Sequence, residues 1–244
     1  MRPLRLTKYH FFSLWNWKSS YIGRFIEPLA YLAFLAGGLS GAGVLQQGRY
    51  PAFVLAGMAC IVCFRAATST LSDVANDRKW GVFAIYTLQG GNVAGYLFSI
   101  LVFAGAVFAA QMVLLVLLSV VLFGSAAIPI LTAVWIVLLG LLVTVGWVGL
   151  GAAVGARVQS YSVRDLLVTL TTLPVILAAP LFYTLTNAPN YLVWISRFNP
   201  LTYQVGWLRD PAPLSLNFGL VWAVLGTAVG LLFLRSADKV SRER

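Results

Sequence analysis

The chain has 244 residues, of which 60% are hydrophobic and 10% charged, with a net charge of +10. Its mean hydropathy is +0.86, and a soluble domain carries about 25% charged residues, so an ordinary soluble fold is excluded in favour of an all-α polytopic membrane protein. The positive charge forms no basic stripe with interleaved aromatics outside the apolar runs, which argues against a nucleic-acid partner and leaves topology as its explanation.

Residues 1–24 mix cations with rings: Tyr9, Phe11, Phe12, Trp15, Trp17 and Tyr21 among Lys8, Lys18 and Arg24. Such a segment suits an amphipathic helix in the headgroup layer, rings toward lipid and cations toward anionic headgroups. It has no continuous apolar core of the kind a cleavable signal peptide needs. A first span is expected from about Phe25 to Leu45, with Glu27 and Pro28 at its entrance and a Gly37-x-x-x-Gly41 step that lets helices approach closely. After a turn at Gln46, Gln47, Gly48, Arg49 and Pro51, a second span covers about Ala52 to Leu71 and carries Arg65. Cys60 and Cys63 lie in this run. With no other cysteine and one histidine, His10, to complete a metal or redox site, they read as small apolar side chains on one helix face.

From Ser72 to Asn92 the chain turns polar, with Asp73, Asn76, Asp77, Arg78, Lys79 and Trp80 and later Gln89 to Asn92. A partly amphipathic block, Val82 to Leu88, lies between. This reads as a connecting loop. The third span, Val93 to Phe123, is long for one crossing; tilt and extension from the loop both account for the surplus. A fourth span runs from about Ile128 to Val154 and ends in Gly146, Gly149, Gly151 and Gly155, which reads as a close-packing face or a flexible hinge, packing being the preferred reading. A short loop with Arg157, Arg164 and Asp165 leads to a fifth span, about Leu166 to Leu185, interrupted by Pro174 and Pro180. A turn at Tyr191–Ile195 follows, and a sixth span at about Leu216 to Leu234 precedes a basic tail. One transmembrane domain therefore fills the chain: a surface helix over 1–24, six spans over 25–234, and a tail over 235–244.

Arg197 to Asp210, between spans five and six, is too polar to cross a bilayer and too apolar to be a free loop. Asn199 is a good N-cap, Pro200 fits a first helical turn, and Leu201, Val205 and Leu208 share one face. A short amphipathic helix anchored by Tyr203 and Trp207 is expected at a membrane surface. The run Asn199-Pro200-Leu201-Thr202-Tyr203, followed by an apolar turn and Leu208-Arg209, resembles the signature near the C-terminus of ABC-2 type permeases, the membrane subunits of a class of ABC exporters. Gly206 stands where many members carry an acidic residue. The resemblance implies that this segment lies on the outer side, within short helices that dip into the bilayer. It implies too that the N-terminal helix and the Ser72–Asn92 loop meet an ATPase subunit. Trp15, Trp17, Asp73, Asp77, Arg78, Lys79 and Trp80 are then the expected ATPase contacts. Phe182, Tyr183, Asn199, Pro200, Tyr203, Trp207 and Arg209 form the expected outer gate.

Charge supports this orientation independently. With six spans both termini share one side. That side holds Arg2, Arg5, Lys8, Lys18, Arg24, Arg78, Lys79, Arg157, Arg164, Arg235, Lys239, Arg242 and Arg244. The other holds Arg49, Arg197 and Arg209. By the positive-inside rule the termini are cytoplasmic, in a bacterial cytoplasmic membrane.

The chain offers no catalytic constellation and no phosphate-binding Gly-x-x-x-x-Gly-Lys-Ser/Thr loop. ATP and Mg are therefore expected in a separate ATPase, and no cofactor or metal in this chain. Few ionisable groups fall near the midplane, which weakens a gradient-driven carrier; a membrane scaffold without an ATPase is the other alternative. Glu27 and Arg65 fall in the same half of antiparallel spans and are expected to pair, since an unpaired intramembrane charge is costly. The resemblance implies two permease copies, likewise two ATPases, and an amphipathic or hydrophobic cargo: a drug, natural product, lipid or lipid-linked glycan. Phe182, Tyr183, Tyr191 and Trp194 suit either a glycan pathway or an interfacial belt.

Overall fold

The computed structural model describes residues 2–16, 18–36, 50–124, 126 and 128–242. Its elements among these are helices: α1 (Arg2–Asn16), α2 (Lys18–Ala30) continued by a wider helical stretch (Tyr31–Ala36), α3 (Tyr50–Lys79), α4 (Val82–Leu88), α5 (Val93–Phe123), α6 (Ile130–Gly155), α7 (Tyr161–Ala178), α8 (Asn190–Ser196), α9 (Pro200–Arg209) and α10 (Pro213–Arg242). A 3-10 turn, Leu185–Asn187, precedes α8. Five of them, α3, α5, α6, α7 and α10, are long and apolar enough to cross a membrane. The protein is a polytopic all-α membrane protein. Trp17, the Gly37/Gly41 step and the turn through Arg49 lie outside the described residues.

Several helix limits differ from the sequence expectation, including those of α10, which runs from Pro213 through most of the expected tail to Arg242. The second span does not end at Leu71: α3 continues to Lys79, because Ser72 to Arg78 contain no helix breaker and Val74 and Ala75 keep an apolar face buried. The polar run is thus mostly helix, and the true turn is Trp80–Gly81. There Gly81 takes the left-handed conformation (φ 79°), which a glycine adopts without steric cost. The fifth span starts five residues earlier than expected, behind the Ser160 N-cap, and stops at Ala178. Pro180 forces Ala179 into an extended conformation (φ −92°, ψ 146°), as a residue before proline prefers. Tyr191–Ile195 is no turn but the body of α8. The third span is one helix over Val93–Phe123, capped by the Asn92 side chain, which accepts the Gly95 N–H at 2.7 Å.

The core lies around α3, buried along most of its length between α6, α5 and α9. The glycine-rich half of α6 is a two-sided packing surface. On one side Gly146 and Gly149 meet the backbone of α10 at Trp222 and Gly226. On the other, Gly151 and Gly155 meet the α3 carbonyls of Ala67 and Leu71. A Cβ at any of the four would collide with backbone, so these glycines set the interhelical distance. By contrast, no residue of α7 is buried. Cys60 and Cys63 are free, buried thiols in the α3–α6 interface, where Cys63 Sγ sits 3.3 Å from the Gly140 carbonyl and accepts the Thr144 hydroxyl at 3.3 Å.

Candidate functional site

Two polar constellations stand at opposite ends of α3. The first joins the ends of α3, α5, α7 and α10 and the short helix α4. Tyr96 on α5 donates its hydroxyl to Asp77 Oδ2 at 2.8 Å. Arg164 on α7 donates to Asn76 Oδ1 at 2.8 Å and lies over the Tyr161 ring at 4.8 Å. Arg78 donates to the Ala156 carbonyl at the end of α6. Lys79 Nζ sits 3.5 Å over the same Tyr161 ring, and Trp80 Nε1 donates to the Tyr161 hydroxyl at 2.9 Å. Arg157, beyond α6, reaches Ser236 and the Phe233 ring on α10. The charged run that sequence reasoning assigned to a contact surface therefore holds the end of α3 to the ends of α5, α6 and α7. Asp73 faces inward, lining a cavity of about 210 Å³ with Arg24, Arg65, Ser69 and Gln111.

This end leaves three large apolar side chains outward among polar ones such as Lys79 and Gln89. Trp80 is 56% exposed, Ile85 55% and Leu88 86%. The opposite face of α4 is pinned by Phe83, edge-on to Tyr96 at 4.8 Å, and by buried Tyr86. Burial pushes the Tyr86 phenol up, against the pull of the Arg2 cation.

The N-terminal helix docks beside this layer. Arg2 donates to the Gly90 carbonyl at 2.7 Å, Thr7 to the Ser99 carbonyl at 3.4 Å, and His10 and Phe11 meet Phe103 at 5.6 and 5.1 Å. The contacts advance together, so α1 runs alongside the first turns of α5. Tyr9, Phe11, Phe12 and Trp15 are exposed. Burial lowers the His10 pKa to about 4, so the imidazole is neutral at physiological pH. Above this level Glu27 and Arg65 form an ion pair of 2.5 Å, and the α2 backbone is held by Gln111 Nε2 on the Arg24 carbonyl at 2.9 Å.

The second constellation is the signature segment. Asn199 is buried and acts twice. Its Oδ1 accepts the Leu201 N–H at 3.0 Å, capping α9, and its Nδ2 donates to the Val175 carbonyl in the last turn of α7 at 2.6 Å. Pro200 occupies the first helical turn, and Leu201, Gln204, Val205 and Leu208 face the core. Arg209 ends the helix. Its guanidinium donates to the carbonyls of Pro180 (3.0 Å), Leu181 (2.7 Å) and Phe53 (3.3 Å) and lies 3.3 Å over the Phe53 ring. Burial lowers its pKa to about 10, which still leaves it charged at neutral pH. The 179–182 turn is pressed onto α3 at Gly57, where a Cβ would collide with the Leu181 carbonyl. Phe182 packs half-buried against the core; Tyr183 donates to the Leu177 carbonyl at 3.3 Å and Tyr203 to the Arg197 carbonyl at 2.8 Å. Trp207 stacks on Phe218 at 5.6 Å.

Sequence reasoning missed Tyr96, Arg164, Tyr161, Gly57 and the donor half of Asn199. Only Asn199 had a signal, a capping residue beside a proline; the others become visible once the chain is folded. Trp15 and Trp80 stand exposed, and the remaining described residues expected to contact an ATPase are engaged within the chain.

The model described as ABC-2 type transporter matches residues 4–211, which takes in the signature segment and the first constellation apart from its α10 contacts. The chain belongs to the ABC-2 type transporter family, and so is a transmembrane permease of an ABC transporter, a class of subunit that works with an ABC ATPase and is generally not itself catalytic. No curated protein matched the chain.

Proposed function

We propose that this permease exports an amphipathic or hydrophobic molecule, such as a drug, natural product, lipid or lipid-linked glycan, driven by ATP and Mg bound in separate ATPase subunits. The basic end, with both termini, faces the cytoplasm of a bacterial cell, and the signature segment faces outward across the cytoplasmic membrane. The observation that carries the reading is the exposed pair Ile85 and Leu88, set on a short helix whose other face is locked to the cytoplasmic ends of the spans, with exposed Trp80 in the turn just before it. An exposed apolar patch rimmed by polar groups marks a protein partner. Two ATPases serve two permease copies. The absence of buried residues along α7 supports a second copy beside it.

The mechanism follows α3. ATPase closure displaces α4 and α1. Movement of α4 reaches α5 through Phe83 on Tyr96, and α3 through Tyr96 on Asp77. From Asp77 to Phe53 is 24 residues of continuous helix, about 36 Å at 1.5 Å per residue. At its far end α3 meets the Arg209 guanidinium and the turn at Leu181. The segment from Phe182 and Tyr183 to Arg209 thus acts as a lid joined to the ATPase-facing layer by one strut.

The test is co-purification of the full chain with its co-expressed ATPase in nanodiscs. Equal numbers of the two subunits and hydrolysis that responds to this chain are expected. Ile85→Asp with Leu88→Asp should lower recovery of the complex at least tenfold while the permease stays monodisperse. A wild-type chain that binds no ATPase, or a double variant that retains it, sinks the reading.

A further inference from the structure

Gln204 is wholly buried on α9, and only half of its amide is satisfied. Its Oε1 accepts the Trp147 Nε1 hydrogen bond at 2.8 Å. An indole N–H can only donate, so the amide oxygen is fixed toward Trp147 and Nε2 is turned elsewhere. Nε2 has no acceptor among the described residues. A buried donor in that state is costly and calls for a partner.

Gln204 also lines a cleft of about 280 Å³ with Phe198, Pro200, Tyr203, Trp207 and Trp222. Two of these walls spend their polar atoms elsewhere. Trp222 Nε1 donates to the Val143 carbonyl at 3.1 Å, and the Tyr203 hydroxyl donates to the Arg197 carbonyl at 2.8 Å. The Trp222 ring is braced edge-on by Trp147 at 5.1 Å, and Trp207 by Phe218. Among the described residues no charged side chain lines the cleft. It offers braced ring faces beside the unspent Gln204 amide donor, the apolar wall with few placed polar groups that small-molecule sites show.

We propose that this cleft binds an uncharged, ring-bearing molecule through one acceptor oxygen, a carbonyl or an ether, hydrogen-bonded to Gln204 Nε2. Rings stack on Trp and Tyr faces. The fixed amide then selects, among molecules of one shape, those carrying the acceptor. Because Trp147 sets the amide's orientation from α6, it is a positioning residue for the site.

The test needs no ATPase, so it stands apart from the outcome of the export experiment. The full chain in nanodiscs is photolabelled with benzophenone, an aromatic ketone, and labelling within residues 198–207 and at Trp222 is read by mass spectrometry. Fluorenone and fluorene, which share a ring frame and differ in the carbonyl, compete for the site, with their concentrations corrected for membrane partitioning. Fluorenone is expected to compete about 5- to 10-fold better, as one net hydrogen bond implies. Gln204→Met keeps the length and removes the donor, and should abolish that preference while labelling persists. Trp147→Phe leaves the donor but frees the amide to turn, and should reduce the preference even if the Met variant fails to fold. Equal competition by the two compounds in the wild type, labelling confined to residues other than 198–207 and Trp222, or a preference that survives in Gln204→Met overturns the proposal.

Discussion

Asn199 and His10 show how a single side chain fixes an element through one atom. At Asn199 the oxygen caps α9 and the nitrogen holds the last turn of α7. Aspartate can cap a helix as well as asparagine but cannot donate, so Asn199→Asp separates the two tasks. It leaves the Val175 carbonyl without its donor and places a carboxylate near that oxygen. A loss of about 1–3 kcal/mol is expected, read as a lower thermal midpoint of the purified chain; an unchanged midpoint would show that capping alone explains the residue. His10 works through its protonation. Its pKa is lowered to about 4 in the folded chain because burial against Phe103 disfavours the cation, whereas an unconstrained histidine titrates near 6.5. Below that value the undocked segment binds more protons than the docked one. Its contribution to docking is therefore complete above about pH 6.5 and is lost as pH falls toward about 4. Hydrogen exchange over residues 2–16 should quicken between pH 6.5 and 4.5 beyond the intrinsic rate change, and His10→Phe should flatten that excess. The cap was legible in the sequence as Asn-Pro ahead of an apolar turn. The second bond of Asn199 and the burial of His10 were not, since both depend on chain 24 and more than 90 residues away.

At the scale of elements, the long apolar runs were legible because hydropathy alone marks them, and Val93–Phe123 was bounded correctly by Asn92 and Gly124. Helix ends inside polar runs were not. Asp73, Asp77, Arg78 and Lys79 looked like a loop by composition, but their side chains are engaged by neighbouring helices or turned into the bundle, which lets α3 continue. Packing glycines were partly legible. The cluster from Gly146 to Gly155 announced a close-packed face, whereas isolated Gly57 gave no sign that a carbonyl lies against it. Gly57→Ala places a methyl where the Leu181 carbonyl oxygen sits, and that oxygen belongs to backbone held by Arg209. Helix propensity favours alanine by up to about 1 kcal/mol, so a gain would follow if the turn could yield. With the turn pinned, overpacking should dominate and cost about 1–3 kcal/mol, with faster hydrogen exchange at residues 179–183. A more stable variant would mean that the turn is not held against α3.

For the whole molecule, the two polar constellations are separated by the length of α3 and share no side chain, so any communication between them runs through that helix and its neighbours. Positive charge distribution made the two ends distinguishable from sequence, and the signature segment marked one of them. The strut between them was hidden because its end contacts, Tyr96 on Asp77 and Arg209 on the Phe53 carbonyl, each join residues far apart in the chain. Binding and coupling part company along this strut. Ile85 and Leu88 lie on the exposed face, whereas Tyr96 is wholly buried behind it. Tyr96→Phe keeps the ring against Phe83 and removes only the hydroxyl that reaches Asp77, so α4 should still present its outer face and the ATPase should still co-purify in equal number. The link from α4 to α3 would nevertheless be cut at its polar joint, and Asp77 would lose its donor. Transport per ATP hydrolysed in reconstituted vesicles should fall severalfold, with hydrolysis itself retained. Loss of the complex in Tyr96→Phe would make the hydroxyl a support for the docking face instead. Unchanged transport per ATP would mean that displacement travels through α5 or α1, leaving α3 as scaffold for the outer segment and not its drive.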